Sequence, residues 1–141
     1  MKSKKYFAII LTILCIVTLC IPASAIESRA SAQIAVYNMK VTPITDALSV
    51  HFSVTGAGVV DKLGCESIYV YKLVNSRWVL VPSQTKLEDD DGMSATNTYG
   101  HINSIHCNSE SGVAYKVVVT IFAENSKGRD SRTETFFVTG Q

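Results

Sequence analysis

Beyond residue 25 the sequence has no window in which apolar residues keep a 3.6-residue period. It also has no C-x-x-C pair, and no block of like charge beyond the four acids at 88–91. The first absence excludes a helical bundle and any fold built on amphipathic helices. The second argues against a reactive dithiol or a thiolate metal site. The third, with ten Lys+Arg beyond residue 25 dispersed among twelve Asp+Glu, leaves no electrostatic footprint for nucleic acid. At 141 residues the chain is also too short for a multidomain enzyme.

What is present begins with an export signal. Lys2, Lys4 and Lys5 precede an uncharged run over residues 6–21, and Pro22 leads into Ala23-Ser24-Ala25, an A-x-A cleavage site. Residues 1–25 therefore read as a secretory signal peptide. The competing reading is a retained anchor, but sixteen residues are at the short edge of what spans about 30 Å of hydrocarbon. Cys15 and Cys20 each follow a Leu, which does not suit a lipid-attachment site. Three of the thirteen basic residues and none of the acids fall in this segment. The remainder carries ten basic against twelve acidic groups, a net charge of −2. The expected product is a freely released extracellular protein with no membrane association after cleavage.

Two cysteines stay with that product, Cys65 and Cys107. An even count in an oxidising compartment reads as a disulfide, worth up to about 4 kcal/mol for a loop of this length. The alternatives are a reactive or metal-binding pair and two free buried thiols.

Residues 26–33 form a short polar leader, and residues 34–141 read as one all-β domain. Leu48, Val50, Phe52 and Val54 alternate with Ser49, His51, Ser53 and Thr55. Tyr115, Val117, Val119, Ile121 and Ala123 alternate in the same way along a second, longer run. Period two is the mark of a strand with one buried face. Further strands are expected at 34–42, 67–74, 77–82, 101–107 and 131–139. Turn chemistry separates them: Thr45-Asp46, Gly56-Ala57-Gly58, Asn75-Ser76, Glu88 to Gly92, Ser109 to Gly112 and Asn125 to Gly128. Seven short strands without a helix predict a seven-stranded β-sandwich of immunoglobulin-like or fibronectin type III-like type, with a small closed barrel as the alternative.

The stretch from Tyr115 through Val117, Val119 and Ile121 to Ala123-Glu-Asn125-Ser-Lys-Gly128 resembles the fibronectin type III strand signature. Across residues 46–139 the chain also resembles a family of small secreted proteins of Gram-positive bacteria. That likeness rests on Asp61-Lys62-Leu63-Gly64, Trp78, Gly92-Met93, Tyr99-Gly100, Ser111-Gly112-Val-Ala-Tyr115 and Ala123 through Thr133. It implies an exported, all-β protein of bacterial origin and assigns no activity. Cys65 and Cys107 depart from the pattern of that family.

The same residues make physical sense alone. Tyr115 after Gly112 places a large ring inward, with a hydroxyl able to bond a loop backbone as in a tyrosine corner. Gly128 supplies positive φ for a tight hairpin. Trp78 packs on a sheet face or serves as a ligand platform.

Catalytic constellations are missing. Ser83-Gln-Thr-Lys86 spells S-x-x-K, the nucleophile motif of penicillin-recognising enzymes, but it follows Pro82 at a strand end and not a helix start. His101 and His106 are an odd number apart on a strand and point to opposite faces, which disfavours zinc. Gly56-Ala-Gly58 lacks the third glycine of a dinucleotide loop. Asp89, Asp90 and Asp91 are a candidate for weak calcium binding, although the D-x-D-x-D-G alternation is absent and neighbouring side chains diverge. No cofactor and no other metal is expected.

The reading is a secreted, non-catalytic binding or interaction module, cell-surface or glycan associated, whose partner is a surface polysaccharide or a protein. The alternatives are an extracellular effector or inhibitor of a secreted protein and, less favoured, a small glycan-active enzyme using Glu88 to Asp91. The candidate ligand contacts are Tyr69 and Tyr71, which share one face of a strand, together with Trp78. Phe122 is a further apolar residue on an outward face; it and the Tyr69–Tyr71 pair are either exposed or covered by strand or chain pairing.

Overall fold

A computed structural model describes residues 33–141. The expected signal peptide at 1–25, with its cleavage site, and all of the leader except Gln33 lie outside the described residues. Seven strands follow in order: β1 (Ile34–Ile44), β2 (Ala47–Val74), β3 (Arg77–Leu80), β4 (Lys86–Leu87), β5 (Ser94–Asn108), β6 (Ala114–Asn125) and β7 (Gly128–Thr139). One 3-10 turn, Pro82–Gln84, is the only helical element among the described residues. All pairings are antiparallel.

The expected all-β class holds; the count is again seven only because two expected strands merge while Lys86–Leu87 adds one that was not expected, and the sheet is one strongly curled half-barrel and not clearly two stacked sheets. The reason is β2. The runs expected as separate strands at 47–55 and 67–74 belong to one 28-residue strand, which pairs with all other strands except β7. Laid straight it would reach roughly 90 Å at about 3.3 Å per residue. Instead its ends meet. Ser109 donates its backbone N–H to the Asp46 carbonyl at 2.9 Å, while Lys72, near the other end, bonds Glu110 at 2.6 Å.

The bend falls at Gly56-Ala57-Gly58, read from sequence as a loop. The β2–β5 register shifts between Thr55 and Val60, and Ala57 donates to the Gln33 carbonyl at 2.9 Å. Glycines here release the strand from a straight path without ending it. A second bulge lies at Glu66, unpaired between Cys65↔Ile121 and Ser67↔Thr120. That extra residue lets Cys65 and Ile68 both face inward and turns Glu66 towards the outer surface.

The curled sheet closes on one core. Leu48, Val50, Phe52 and Val54 from the first arm of β2 meet Leu63, Ile68 and Val70 from the second, with Val117, Val119 and Ile121 of β6. Each such side chain contributes roughly 1.5–3 kcal/mol by leaving water. Tyr115 is buried, and its hydroxyl accepts the Glu110 N–H at 2.9 Å, the corner expected from the sequence. The other turns behave as expected. Asn75 and Ser76 both take positive φ between β2 and β3, as a two-residue hairpin requires.

The expected Cys65–Cys107 bridge is not formed. Both cysteines are buried free thiols. The Cys65 thiol lies 3.5 Å from the Ser67 carbonyl and 3.3 Å from that of Thr120, whereas Cys107 is directed at the Gln84 carbonyl, 3.7 Å away. The two sulfurs have different neighbours on different strands, and each acts as a small apolar side chain with a weak donor. Burial raises both thiols, and Cys65 is pushed up to about 12.

Candidate functional site

The second arm of β2, with β3, β6 and β7, presents an outward face. Inward positions Val70, Val117 and Val119 are fully buried, so their neighbours Tyr69, Tyr71, Lys116 and Val118 point the other way. Cross-strand register assembles them. Tyr71 stands opposite Leu80 of β3 and Lys116 of β6; Lys116 in turn stands opposite Phe137 of β7. Trp78, opposite Leu73, packs its ring at 5.6 Å and 51° to Phe137. The Lys116 ammonium sits 4.2 Å from the centre of the Tyr71 ring and 5.8 Å from that of Trp78.

All three aromatic residues singled out from sequence therefore share one face. Trp78 is 37% exposed and Phe137 64%, while Tyr69 and Tyr71 are half-buried. An aromatic cluster with that exposure is a surface that can stack a ring and still offer a polar edge. Sequence reasoning did not identify Lys116, Phe137 or Leu80 as parts of it. Lys116 and Phe137 do alternate outward in their own strands, but only the β2–β6 and β6–β7 registers bring them beside Tyr71.

The opposite end of the same face is an ion-pair cluster. Arg129 contacts Glu88 at 2.6 Å, Glu124 at 2.8 Å and Glu66 at 3.5 Å; Lys62 reaches Glu88 at 2.6 Å and Asp89 at 3.3 Å. Beneath them lies Phe122, fully buried, its ring centre 3.8 Å from the guanidinium carbon of Arg129. Of the two readings of Phe122, exposed or covered, the covered one holds, with a side chain as the cover: Arg129 stacks over it as a lid, as a planar guanidinium does over an aromatic ring. Burial alone would raise the Glu88 carboxyl, but hydrogen bonds from Arg129 and Lys62 outweigh it and hold it below the ordinary carboxylate value. Lys62 is raised, chiefly by its bond to Glu88. For Arg129, burial acts downward, and the bonds it donates to Glu88 and Glu124 raise it on balance.

The acidic run does not converge. Asp89 pairs with Lys62, and Asp90 accepts the Leu87 N–H at 2.7 Å. Asp90 and Asp91 line an open groove of about 400 Å³ shared with Lys86 and His106. Among the described residues no three His, Cys, Asp or Glu side chains form a metal-binding group. The histidines are dispersed as well. His101 Nε2 donates to the Gly92 carbonyl at 2.8 Å, His51 Nδ1 lies 3.0 Å from Ser104 Oγ, and His106 is exposed. Ser83 lies in the 3-10 turn and Lys86 in β4, so the S-x-x-K residues do not share a helix.

Fold and face together define an all-β protein with a curled antiparallel sheet and an exposed aromatic platform bearing one cation. The chain matches no protein-family model, no curated protein and no solved structure.

Proposed function

We propose that the protein is a secreted, non-catalytic binding module that contacts a cell-surface or wall-derived glycan through Tyr69, Tyr71, Trp78 and Phe137. The observation that carries this reading is the gathering of four aromatic side chains from β2, β3 and β7 on one outward face, with Trp78 and Phe137 in ring contact. Stacking of sugar C–H faces on such rings needs flat, partly exposed aromatics, and the outward hydroxyl of Thr135 on β7, beside the Thr133 hydroxyl that bonds Thr120 at 2.9 Å, extends the same face with a group that both donates and accepts. The non-catalytic part is supported by the carboxylates of the acidic segment: Glu88, Asp89 and Asp90 are engaged by Arg129, Lys62 and the Leu87 N–H. Glycoside cleavage instead needs two carboxyls facing each other across a gap. A packed interior with faces left to ligand is the division of labour of an immunoglobulin-like or fibronectin type III-like sandwich, the scaffold type this reading assumes.

A protein partner is the second reading, favoured by β3. It is a four-residue edge strand with Val79 and Leu80 exposed, a place where an extended segment could add to the sheet. Co-sedimentation of the purified protein with insoluble wall and mucin polysaccharides separates the two. Retention in the pellet at moderate salt supports the glycan reading. Protein left wholly in the supernatant rejects it and favours a soluble 1:1 complex.

A further inference from the structure

Resting on the proposed glycan-binding face, we propose that its ligand is an acidic polysaccharide, with a uronate carboxylate received by Lys116 while a sugar ring stacks on the neighbouring aromatics. Lys62, Lys72 and Arg129 each have a carboxylate within ion-pair distance. Among the described residues Lys116 has none; its ammonium lies over the Tyr71 ring at 4.2 Å and 5.8 Å from the centre of Trp78. The outward positions around it are Tyr69, Leu73, Leu80, Val118, Thr135 and Phe137, with no acid among them. The nearest acids on this face belong to the Arg129 cluster at its far end, and Glu66, Glu88 and Glu124 are already paired there.

A cation seated on ring faces keeps donors free, because the π system takes its charge and not its N–H bonds in a directional sense. An anion at the outer side of Lys116 completes those bonds without displacing any partner. Its source must also carry an apolar ring face to cover Trp78 and Phe137, and hydroxyls to meet the threonines of β7. A sugar ring bearing a carboxylate has all three features. A neutral sugar leaves the lysine unmatched, and a simple anion leaves the rings uncovered.

The test compares polygalacturonate with the same polymer after reduction of its carboxyl groups, by affinity electrophoresis of the native protein and of Lys116→Gln, Lys116→Arg and Trp78→Ala. The expected result is at least a tenfold preference of the native protein for the carboxylated polymer. Lys116→Gln should bring that preference below about twofold, Lys116→Arg should retain most of it, and Trp78→Ala should weaken binding to both polymers. Unchanged melting temperatures would show that the variants fold. Equal binding of both polymers by the native protein would overturn the acidic-ligand proposal and leave the glycan-binding reading standing. No binding to polygalacturonate would also overturn it. If the wall and mucin co-sedimentation were negative too, the glycan reading would fall with it.

Discussion

Arg129 covers Phe122: a guanidinium carbon 3.8 Å from the ring centre seals a fully buried aromatic on the outward side of the sheet, away from the main core. Three carboxylates hold the arginine there. Arg129→Ala should therefore cost more than an exposed ion pair, whose worth is about 0–1 kcal/mol, because it also uncovers the ring. We expect a loss of about 1–2 kcal/mol in urea denaturation, with Arg129→Met recovering part of it by restoring apolar cover. Equal losses in both variants would show that charge alone matters.

Glu88 links this cluster to acid stability. Its folded carboxyl lies below the ordinary value, so its stabilising contribution is complete above about pH 4.3, the unfolded carboxylate range, and is lost as pH falls through the lower folded value. Glu88→Gln should flatten the acid limb of a stability-versus-pH curve below about pH 4.5 and lower stability at neutral pH. An unchanged acid limb would place the titration elsewhere.

The two thiols give an alkylation test. The purified protein, denatured without reductant, should take up two iodoacetamide groups on Cys65 and Cys107; the folded protein should take up none on the same timescale, since both are buried. A bridged protein would take up none in either state. The Cys65 thiol, pushed up to about 12, stabilises the fold fully below its unfolded value of about 8.5, and this contribution is lost as pH rises towards the folded value. Cys65→Ala should accordingly show a flatter alkaline limb.

Gly64 is a site where a side chain does not fit. Its φ is +148°, and a β-carbon would run into the Met93 carbonyl and the Ser94 backbone. Cys65 donates its N–H to that same carbonyl at 2.7 Å, so the backbones cannot separate without losing the bond. Gly64→Ala should destabilise by more than about 2 kcal/mol in denaturant unfolding. Gly112, with open space around it and φ +75°, should lose only about 1 kcal/mol on the same change.

Much of the fold was legible because alternation is a local signal. Leu48 to Val54 and Tyr115 to Ala123 declared their buried faces in sequence, and Tyr115 declared its corner. Two features were not legible. Gly56 and Gly58 carry the same local chemistry in a loop and in a strand bend; the difference is whether Val60 to Gly64 pair with the same β5 as Leu48 to Thr55, which is long-range. The cysteine count suggested a bridge, but whether Cys65 meets Cys107 depends on long-range register: β5 sets Ser94 opposite Gly64, beside Cys65, and Cys107 opposite Leu48 on the other arm of β2. Of the aromatic face, the Tyr69–Tyr71 pair could be read from its spacing in one strand. Lys116 and Phe137 enter only through register.

Trp78 is the only tryptophan in the chain, so its fluorescence reports directly on the face assigned to ligand. The deciding measurement is a titration of the protein with solubilised wall or mucin polysaccharide that co-sediments with it, following Trp78 emission. The account predicts a saturable shift or quench that tracks the bound fraction and is weakened by Tyr71→Ala. Binding that saturates while Trp78 emission stays constant would place the ligand elsewhere and contradict the account.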